Sequence, residues 1–308
     1  MTMTEQLNAL GSILAQGSLH SLFQPIICLS ERRILGYEAL SRGPSNSPLH
    51  SPVALFSVAS HAGRLSELEM ACRESACRRF SEQKLPGKLF LNISPESLME
   101  TAHQPGRTLQ LLRDFGIPPS QVVIELTEQT PTDDFDLLQT ALHHYRDMGF
   151  AIALDDLGAG YSSLRLWSEL RPDYVKIDRH FIDGIHQDAL KREFVGSILQ
   201  IAKASRAQVI AEGIELPEEL AVLTEMGVDL VQGYLLCRPQ EQPPQEARLM
   251  LPKQDHTNIT LNEEGSDLSA LLNEQPAVDQ DTATAQVLES FRRQANLNSL
   301  AVLDAVSY

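Results

Sequence analysis

Two adjacent aspartates, Asp155 and Asp156, end an apolar run in the stretch AIALDDLGAGYSS, residues 151–163. Two carboxylates about 4 Å apart repel each other by roughly 4 kcal/mol at an effective dielectric constant near 20. Something must therefore offset this repulsion if both carboxylates stay ionised at one site. Gly158 and Gly160 follow directly, and glycine lets the backbone turn tightly just beyond the pair.

Other polar side chains fall at the C-terminal ends of further predicted strands. They comprise carboxylates, one amide and one ammonium group: Glu38, Asn92, Glu125, Asp178, Glu212 and Lys176. For any one of them, a solvated charge in a loop is the plain alternative. The regular placement of the whole set favours a shared site instead.

The ligand types in this set favour Mg²⁺ or Mn²⁺. Carboxylate and amide oxygens suit hard cations, and no group of His or Cys residues has the spacing of a zinc site. Two divalent cations would nearly neutralise the four carboxylates of Glu38, Glu125, Asp155 and Asp156. Sites with two such cations cleave phosphate esters by activating a water molecule. The residues alone therefore predict metal-assisted phosphoester chemistry.

The elements that must position these residues alternate between strands and helices from about residue 20 to about residue 240. The predicted strands are LFQPIICL, ILGYEAL, KLFLNIS, QVVIELT, AIALDD, YVKID, QVIAEG and LVQGYLL. Eight strands in this length predict an α/β fold, a closed (β/α)₈ TIM-like barrel, whose strand ends meet at one mouth. Only SERR separates the first two strands, which is too short for a parallel crossover, so the first strand should be antiparallel and the barrel irregular.

Helical periodicity supports the same alternation. Phe135, Leu138, Leu142 and Tyr145 recur at helical spacing, and Gly149 follows as a stop signal. A second apolar face is predicted within ALKREFVGSILQIAKAS, and it consists of Phe194, Val195, Ile198, Leu199 and Ala202. Helices of this kind would cover the sheet.

The composition of the chain argues against several classes of binding partner. The 308 residues carry a formal net charge of −16, which argues against binding to nucleic acid polymers or to anionic membranes. No apolar segment reaches the roughly 18 residues of a membrane span. The four cysteines lack a C-x-x-C pair and are interpreted as reduced, buried thiols. We expect a cytoplasmic protein.

The chain changes character after about residue 246. Residues 1–246 are predicted to form the barrel, and residues 247–274 a polar linker with one short helix at residues 268–272. Residues 275–308 regain order: Val287, Leu288 and Phe291 form a helical stripe, and Leu300 and Val302 alternate as in a strand. This small α/β extension is too short to close a core of its own.

The same residues carry a family resemblance. YEALSR contains the Glu-Ala-Leu signature of the EAL domain, the bacterial phosphodiesterase of cyclic di-GMP. Seven further segments match that family in order: LFQPI, LFLNISP, VIELTE, ALDDLGAGYSSL, PDYVKID, AEGIE and VQGYL. The resemblance covers about residues 20 to 242, and so many ordered matches do not arise by chance.

The resemblance implies a metal set and a catalytic set. Glu38, Asn92, Glu125 and Asp155 match the ligands of a first metal, and Asp155 and Asp156 match those of a second, which gives two Mg²⁺ or Mn²⁺ ions per site. Lys176 matches the lysine that holds the attacking water, with a surface salt bridge as the alternative. Glu212 matches a glutamate that acts as general base or as a water-mediated ligand. The implied catalytic residues are Glu38, Asp156, Lys176 and Glu212.

The resemblance also implies contacts with substrate. Arg42 matches the arginine that meets a substrate phosphate. Positions near the nucleotide are matched by Gln24, Leu40, Asp178, Glu215 and Gln232, for which packing or loop hydrogen bonding is the alternative. Glu128 matches the residue that anchors the glycine-rich loop, with a helix N-cap as its alternative. Two positions depart from the family: Leu157 replaces the usual Phe and Ala159 the usual Thr, which places the rigidity of that loop in question.

The activity implied is the hydrolysis of cyclic di-GMP to linear pGpG by a water that two metal ions activate. The alternative is a weakly catalytic receptor of cyclic di-GMP that signals through missing C-terminal domains. The family further implies a homodimer formed through the barrel. The tail, VDQDTATAQVLESFRRQANLNSLAVLD, resembles the opening half of a CBS domain, as in proteins of EAL–CBS–GGDEF architecture. An independent helical appendage is the alternative for that segment.

Overall fold

The computed structural model describes residues 2–99, 105–126, 135–157, 163–251, 277–279 and 301–303. The chain divides into two compact units, Met1–Lys253 and Gln254–Tyr308. The predicted boundaries at residues 246 and 274 stay predictions. The helices predicted around residues 268–272 and 287–291 lie outside the described residues.

Eight strands close a barrel in the first unit, as the sequence predicts. They are β1 His20–Cys28, β2 Arg33–Arg42, β3 Lys88–Ile93, β4 Val122–Leu126, β5 Ala151–Leu157, β6 Tyr174–Ile177, β7 Gln208–Ala211 and β8 Leu230–Val231. Strand β1 runs antiparallel to both of its neighbours, β2 and β8, and every other neighbouring pair is parallel. The predicted antiparallel first strand is therefore confirmed. The ends of β2 to β8 meet at one face of the barrel, which we call the mouth.

Helices alternate with these strands. They are α1 Met3–Gln16, α2 Pro52–His61, α3 Leu65–Gln83, α4 Pro95–Met99, α5 Pro105–Asp114, α6 Phe135–Asp147, α7 Ser163–Leu170, α8 Arg179–Ile182, α9 Ala189–Ser205 and α10 Pro217–Glu225. Two 3₁₀ turns lie at Pro119–Gln121 and Ala247–Leu249. No helix among the described residues is long and apolar enough to cross a bilayer.

The described residues of the predicted apolar helix faces are buried or partly buried, with one exception. On α6, Leu138, Leu142 and Tyr145 are buried in the main core; the side chain of Phe135 lies outside the described part. On α9, Val195 is buried, but Phe194 is 49% exposed, so its placement on the buried face was wrong. Val195 takes the inward position beside it, and the Phe194 ring rests instead on that of Phe181, with centroids 5.7 Å apart.

Strand β8 is shorter than predicted. It contains only Leu230–Val231, and the rest of the predicted strand LVQGYLL turns away from the sheet. At Gly233 a Cβ atom would lie 2.2 Å from the carbonyl oxygen of Ile214, so the backbones approach too closely for any side chain. The early turn places Gln232 and Tyr234 at the mouth.

In the second unit, two strands are described, β9 Ala277–Asp279 and β10 Ala301–Leu303. They pair in parallel, with Val302 opposite Val278. Val302 thus lies in a strand, as its alternation with Leu300 predicts.

Candidate metal centre

The polar residues predicted from strand ends come together at the mouth. Glu38, Asn92, Glu125, Asp155, Asp156 and Lys176 lie near the ends of β2 to β6, and Glu212 and Gln232 directly follow β7 and β8. Most are withdrawn from solvent: Glu125 has no exposed surface and Lys176 only 1%. The cause is the barrel itself, since the C-terminal ends of its parallel strands meet at one face.

A bulge in β5 lets both aspartates reach this cluster. Leu154 pairs with Val175 and Leu157 with Ile177, so two residues of β5 face one residue of β6. Asp156 has a φ of 54°, in the left-handed region that a non-glycine residue seldom adopts. On a regular strand, neighbouring side chains point to opposite faces. The extra residue re-aims the second side chain, and carboxylate oxygens of Asp155 and Asp156 lie within 4.8 Å of each other.

Lys176 occupies the centre of the cluster. Its Nζ lies 2.6 Å from Glu212 Oε1, 3.0 Å from Glu125 Oε1, 3.0 Å from Asp155 Oδ1 and 3.2 Å from Glu38 Oε2. Burial alone would lower the pKa of this ammonium, but the four carboxylates raise it well above its usual value. Lys176 is therefore a fixed positive charge and a hydrogen-bond donor. The alternative of a surface salt bridge is excluded by its burial.

The carboxylates exceed what one ammonium can neutralise. Burial raises the pKa of Asp155, and it raises those of Glu125 and Glu212 well above the usual value, although Lys176 opposes the shift in each. Glu38 differs: burial acts in the same sense, but Lys176 and hydrogen bonds from Gln232 and Asn92 outweigh it and lower its pKa. The cluster without cations is thus electrostatically incomplete.

Two groups of carboxylates have the geometry to hold metal ions. Ligand atoms lie within 4.8 Å of one another in the group of Glu38, Glu125 and Asp155, and in the group of Asp155, Asp156 and Glu212. Asp155 belongs to both groups, as a bridging ligand would. Fully ionised, these five carboxylates and Lys176 carry a net charge of −4, which two divalent cations would balance.

Unpartnered oxygens test the fit of a cation directly. Both carboxylate oxygens of Glu125 and Oδ1 of Asp155 are buried and accept no hydrogen bond. Lys176 Nζ lies 3.0 Å from Glu125 Oε1 and from Asp155 Oδ1, where its charge opposes theirs. Buried acceptors without donors are rare in proteins. An all-oxygen set of this kind fits hard divalent cations.

A chain of amides orients Glu38. Gln232 Nε2 donates to Glu38 Oε2 at 2.7 Å and lies 3.1 Å from Gln24 Oε1, while Gln24 Nε2 donates to the carbonyl of Cys237 at 3.0 Å. Asn92 Nδ2 donates to the other oxygen of Glu38 at 3.2 Å. Sequence reasoning placed Gln24 and Gln232 near a nucleotide and missed this positioning role. For Gln24 the predicted hairpin offered a signal, since Gln24 lies directly opposite Glu38.

Among the described residues, two cavities open beside the cluster. One of about 250 Å³ is lined by most of the cluster together with Leu40, Asp178 and Glu215. The other, of about 600 Å³, is lined by Leu40 and Arg42 and shares Glu38 and Asn92 with the cluster. All predicted substrate contacts therefore line a cavity.

Two of those predicted contacts also have local partners. Arg42 Nη1 donates to the carbonyl of Ser41 at 2.8 Å, and Asp178 Oδ1 accepts the backbone N–H of His180 at 2.8 Å as the N-cap of α8. Loop hydrogen bonding, the alternative stated for Asp178, is thus present as well. Contact with substrate stays a prediction for both residues.

The residue that replaces the usual Phe, Leu157, is 3% exposed and belongs to the main core. It therefore anchors the end of β5 by apolar packing. Glu128, Gly158, Ala159 and Gly160 lie outside the described residues, so the predicted loop anchor stays a prediction.

Comparison with known proteins agrees with this geometry. The family model of the EAL domain matches residues 6–239. The cyclic di-GMP phosphodiesterase PdeF of Escherichia coli strain K12 is 33% identical over 198 residues, which are 63% of this chain and 26% of PdeF. The chain thus spans about a quarter of the length of that relative.

Solved structures show the same architecture. A standalone EAL protein from Vibrio cholerae O395 in its c-di-GMP-bound form has a TM-score of 0.68 and 29% identity, and the match covers 74% of this chain and 95% of that one. The manganese and cyclic di-GMP complex of Klebsiella pneumoniae BlrP1 has a TM-score of 0.66 and 31% identity, with coverage of 72% and 56%.

Proposed function

Because this chain belongs to the EAL domain family, we propose that it hydrolyses cyclic di-GMP to linear pGpG with the help of two divalent cations. One observation carries the proposal: five carboxylates cluster around a single buried ammonium, which contacts four of them, and leave an excess charge that two cations would balance. The family match and the cyclic di-GMP complexes of similar proteins support the choice of substrate.

The proposed ligands divide between the two carboxylate groups. Glu38, Asn92, Glu125 and Asp155 hold the first cation, and Asp155 and Asp156 hold the second, with Glu212 beside it. Mg²⁺ and Mn²⁺ suit this oxygen set, and the manganese in the BlrP1 complex supports the choice. Cations bound there would lower the pKa of a water molecule and balance the charge that develops on the phosphate.

The remaining steps follow from the chain's own groups. Lys176 is held protonated by its four partners, so it donates hydrogen bonds to the attacking water and does not act as a base. Glu212 lies within reach of the same position and can accept the proton or hold the water. The water oxygen bonds to phosphorus, the P–O3′ bond breaks, and the released hydroxyl takes a proton. The second phosphodiester stays intact, which gives pGpG.

The substrate is proposed to extend from the cluster into both cavities. Arg42 meets a phosphate, and Gln24, Leu40, Asp178, Glu215 and Gln232 surround the nucleotide. Their positions on the cavity walls support these roles. Glu128 is proposed to anchor the loop that follows Asp156.

The direct test is an assay for product. The chain is incubated with cyclic di-GMP and Mn²⁺ or Mg²⁺, with parallel samples in EDTA, and pGpG is measured by chromatography. We expect pGpG only with divalent cation. Binding without product would favour the alternative, a weakly catalytic receptor, and the absence of both would contradict the proposed substrate.

Assembly and architecture complete the proposal. The chain forms a homodimer through the barrel, which is supported by the exposed apolar side chains of Leu164, Leu190 and Phe194 on α7 and α9. Residues 275–308 form the opening half of a CBS domain after a linker at residues 247–274, as their resemblance to proteins of EAL–CBS–GGDEF architecture implies. The short match to PdeF, about a quarter of its length, supports a multidomain context. Sedimentation analysis would test the dimer.

A further inference from the structure

Arg179 lies at the mouth and has no part in the function proposed so far. It is the first residue of α8, directly after Asp178, and it lines the cavity of about 250 Å³ together with Asp156 and Glu212. Its side chain is 52% exposed, and Nη1 lies 2.8 Å from Oε1 of Glu215. The guanidinium is thus within reach of a ligand in this cavity.

Packing against a glycine fixes the direction of this side chain. Gly213 has a φ of 68°, and a Cβ atom there would lie 2.5 to 3.0 Å from the Cβ, Cγ and Cδ atoms of Arg179. The methylene groups of Arg179 therefore rest directly on the backbone between Glu212 and Ile214. Because glycine leaves this space open, the guanidinium is held over the mouth before any ligand arrives.

The charges around the cavity give Arg179 a particular importance. Six carboxylates line it: Glu38, Asp155, Asp156, Asp178, Glu212 and Glu215. Two cationic side chains, Lys176 and Arg179, stand among the described lining residues. Lys176 is 1% exposed and is surrounded by four carboxylates. Arg179 is therefore the cation there that solvent, and hence a ligand, can reach.

Cyclic di-GMP carries two phosphodiesters, each with one negative charge, and the cations of the proposed centre balance the scissile one. We infer that Arg179 binds the second, non-scissile phosphodiester, for which it exchanges its contact with Glu215. The inference rests on the proposed function. A guanidinium suits this task because its planar fork can donate two parallel hydrogen bonds to phosphate oxygens. Arg42 lines the other cavity, so it does not occupy the position at which Arg179 would meet the second phosphodiester.

The test compares two substrates in the Arg179→Gln variant. Cyclic di-GMP has the second phosphodiester, whereas bis(p-nitrophenyl) phosphate has the scissile group alone. We expect KM for cyclic di-GMP to rise about tenfold, the size of one charge-assisted hydrogen bond, with kcat changed less than about twofold. The ratio of kcat/KM for cyclic di-GMP to that for bis(p-nitrophenyl) phosphate should fall about tenfold. Arg179→Lys, which keeps the charge but not the fork, should fall between.

Arg33→Gln is the matched control. Arg33 is also 52% exposed and paired with a glutamate, Glu31, but it lies at the start of β2, at the opposite end of the barrel. We expect wild-type constants from this variant. Equal losses on both substrates in Arg179→Gln would show a merely structural role, and unchanged constants would show no role; either result would overturn the inference.

Binding separates this inference from the proposed function. Titration of cyclic di-GMP in Ca²⁺ should give a Kd about tenfold higher for Arg179→Gln than for the wild type. If the wild type binds cyclic di-GMP but cleaves it with neither Mn²⁺ nor Mg²⁺, the catalytic proposal fails. The difference in Kd between the wild type and Arg179→Gln then still decides the role of Arg179. If the wild type does not bind cyclic di-GMP at all, both proposals are overturned.

Discussion

Glu125 is fully buried, and neither of its carboxylate oxygens accepts a hydrogen bond. Such a group opposes folding while it is ionised, because water solvates it in the unfolded chain and little replaces that water in the fold. Burial, followed by Glu38, Asp155 and Glu212, raises its pKa well above the usual value, despite the opposing effect of Lys176. A bound cation would interact with the buried carboxylate and offset the free-energy cost of its burial.

Replacing Glu125 by Gln should separate stability from metal binding. At pH 7.5 in EDTA we expect Glu125→Gln to unfold at a temperature roughly 2–4 °C above the wild type, the shift that about 1 kcal/mol produces in a domain of this size. Mn²⁺ should raise the Tm of the wild type and leave that of the variant nearly unchanged. Thermal unfolding followed by circular dichroism measures both.

The pH dependence of the stability difference between Glu125→Gln and the wild type tests whether the ionised Glu125 carboxylate destabilises the fold. A carboxyl whose pKa is raised in the fold contributes stability below its unfolded pKa and loses it as pH rises. The advantage of Glu125→Gln in EDTA should therefore shrink as the pH falls toward about 5. Glu82→Gln, an exposed change on α3, serves as control. A variant that is less stable than the wild type in EDTA at pH 7.5 would contradict this account.

Asp156→Asn should abolish turnover more completely than binding. The change removes charge from the second proposed metal while the cavity walls stay in place. We expect kcat to fall about 100-fold or more, because loss of a group that only orients a metal ligand already costs roughly 10- to 100-fold, with a smaller change in Kd for cyclic di-GMP. Steady-state kinetics and calorimetric titration measure the two effects. Wild-type rates in this variant would rule out the two-metal assignment.

At the scale of elements, the end of β5 decides whether both aspartates face the cluster. The bulge requires Asp156 to keep a left-handed backbone, and such conformations persist only where the surroundings enforce them. Leu157, buried at 3% exposure and paired with Ile177, is the next anchored residue of the strand. Its packing therefore supports the position of Asp156.

Truncation of this anchor should cost stability and metal affinity together. Leu157→Ala leaves a cavity in the core, and such changes destabilise a protein by about 2–5 kcal/mol. We also expect weaker Mn²⁺ binding, because the bulge loses its support. Leu249→Ala in the 3₁₀ turn Ala247–Leu249, where the side chain is 70% exposed, should stay within about 0.5 kcal/mol of the wild type. Urea unfolding and metal titration test both; full Mn²⁺ affinity in Leu157→Ala would refute the coupling.

Sequence reasoning recovered the barrel because its signals are local. Alternating strand and helix patterns gave the elements, and the four residues between the first two strands gave the antiparallel start. The predicted metal and catalytic residues came together because strand ends in this topology share a face. The positions of these residues at the ends of predicted strands were enough to predict that they lie at the same face.

What sequence reasoning missed depends on contacts between distant segments. The length of β8 is set by the approach of Gly233 to Ile214, and Phe194 is exposed because Val195 takes the buried place beside it. The hydrogen bond from Gln232 to Glu38 joins residues 194 positions apart. The bulge could have been anticipated, since two adjacent aspartates reach one site only if the strand alternation breaks.

In the molecule as a whole, the barrel keeps its reactive thiol groups buried and away from water. All four cysteines are buried, and burial raises the pKa of both Cys72 and Cys77 to about 12. The thiolate is the reactive form of cysteine. These thiols should therefore be inert as long as the fold is intact.

Thiol titration tests this state. With Ellman's reagent at pH 8, the native chain should show almost no rapid reaction, and the chain in guanidinium chloride should show four reactive thiols. Rapid native reaction of Cys72 or Cys77, identified by mass spectrometry, would mean that α3 opens readily.

In the proposed function, the mouth of this barrel uses cations to direct water at cyclic di-GMP. The most direct measurement is mass spectrometry of the product formed in oxygen-18 water with Mn²⁺. We expect pGpG with a single oxygen-18 atom on its terminal phosphate, and no product in EDTA or with Glu125→Gln. Unlabelled product, equal product in EDTA, or no product with Mn²⁺ would contradict it.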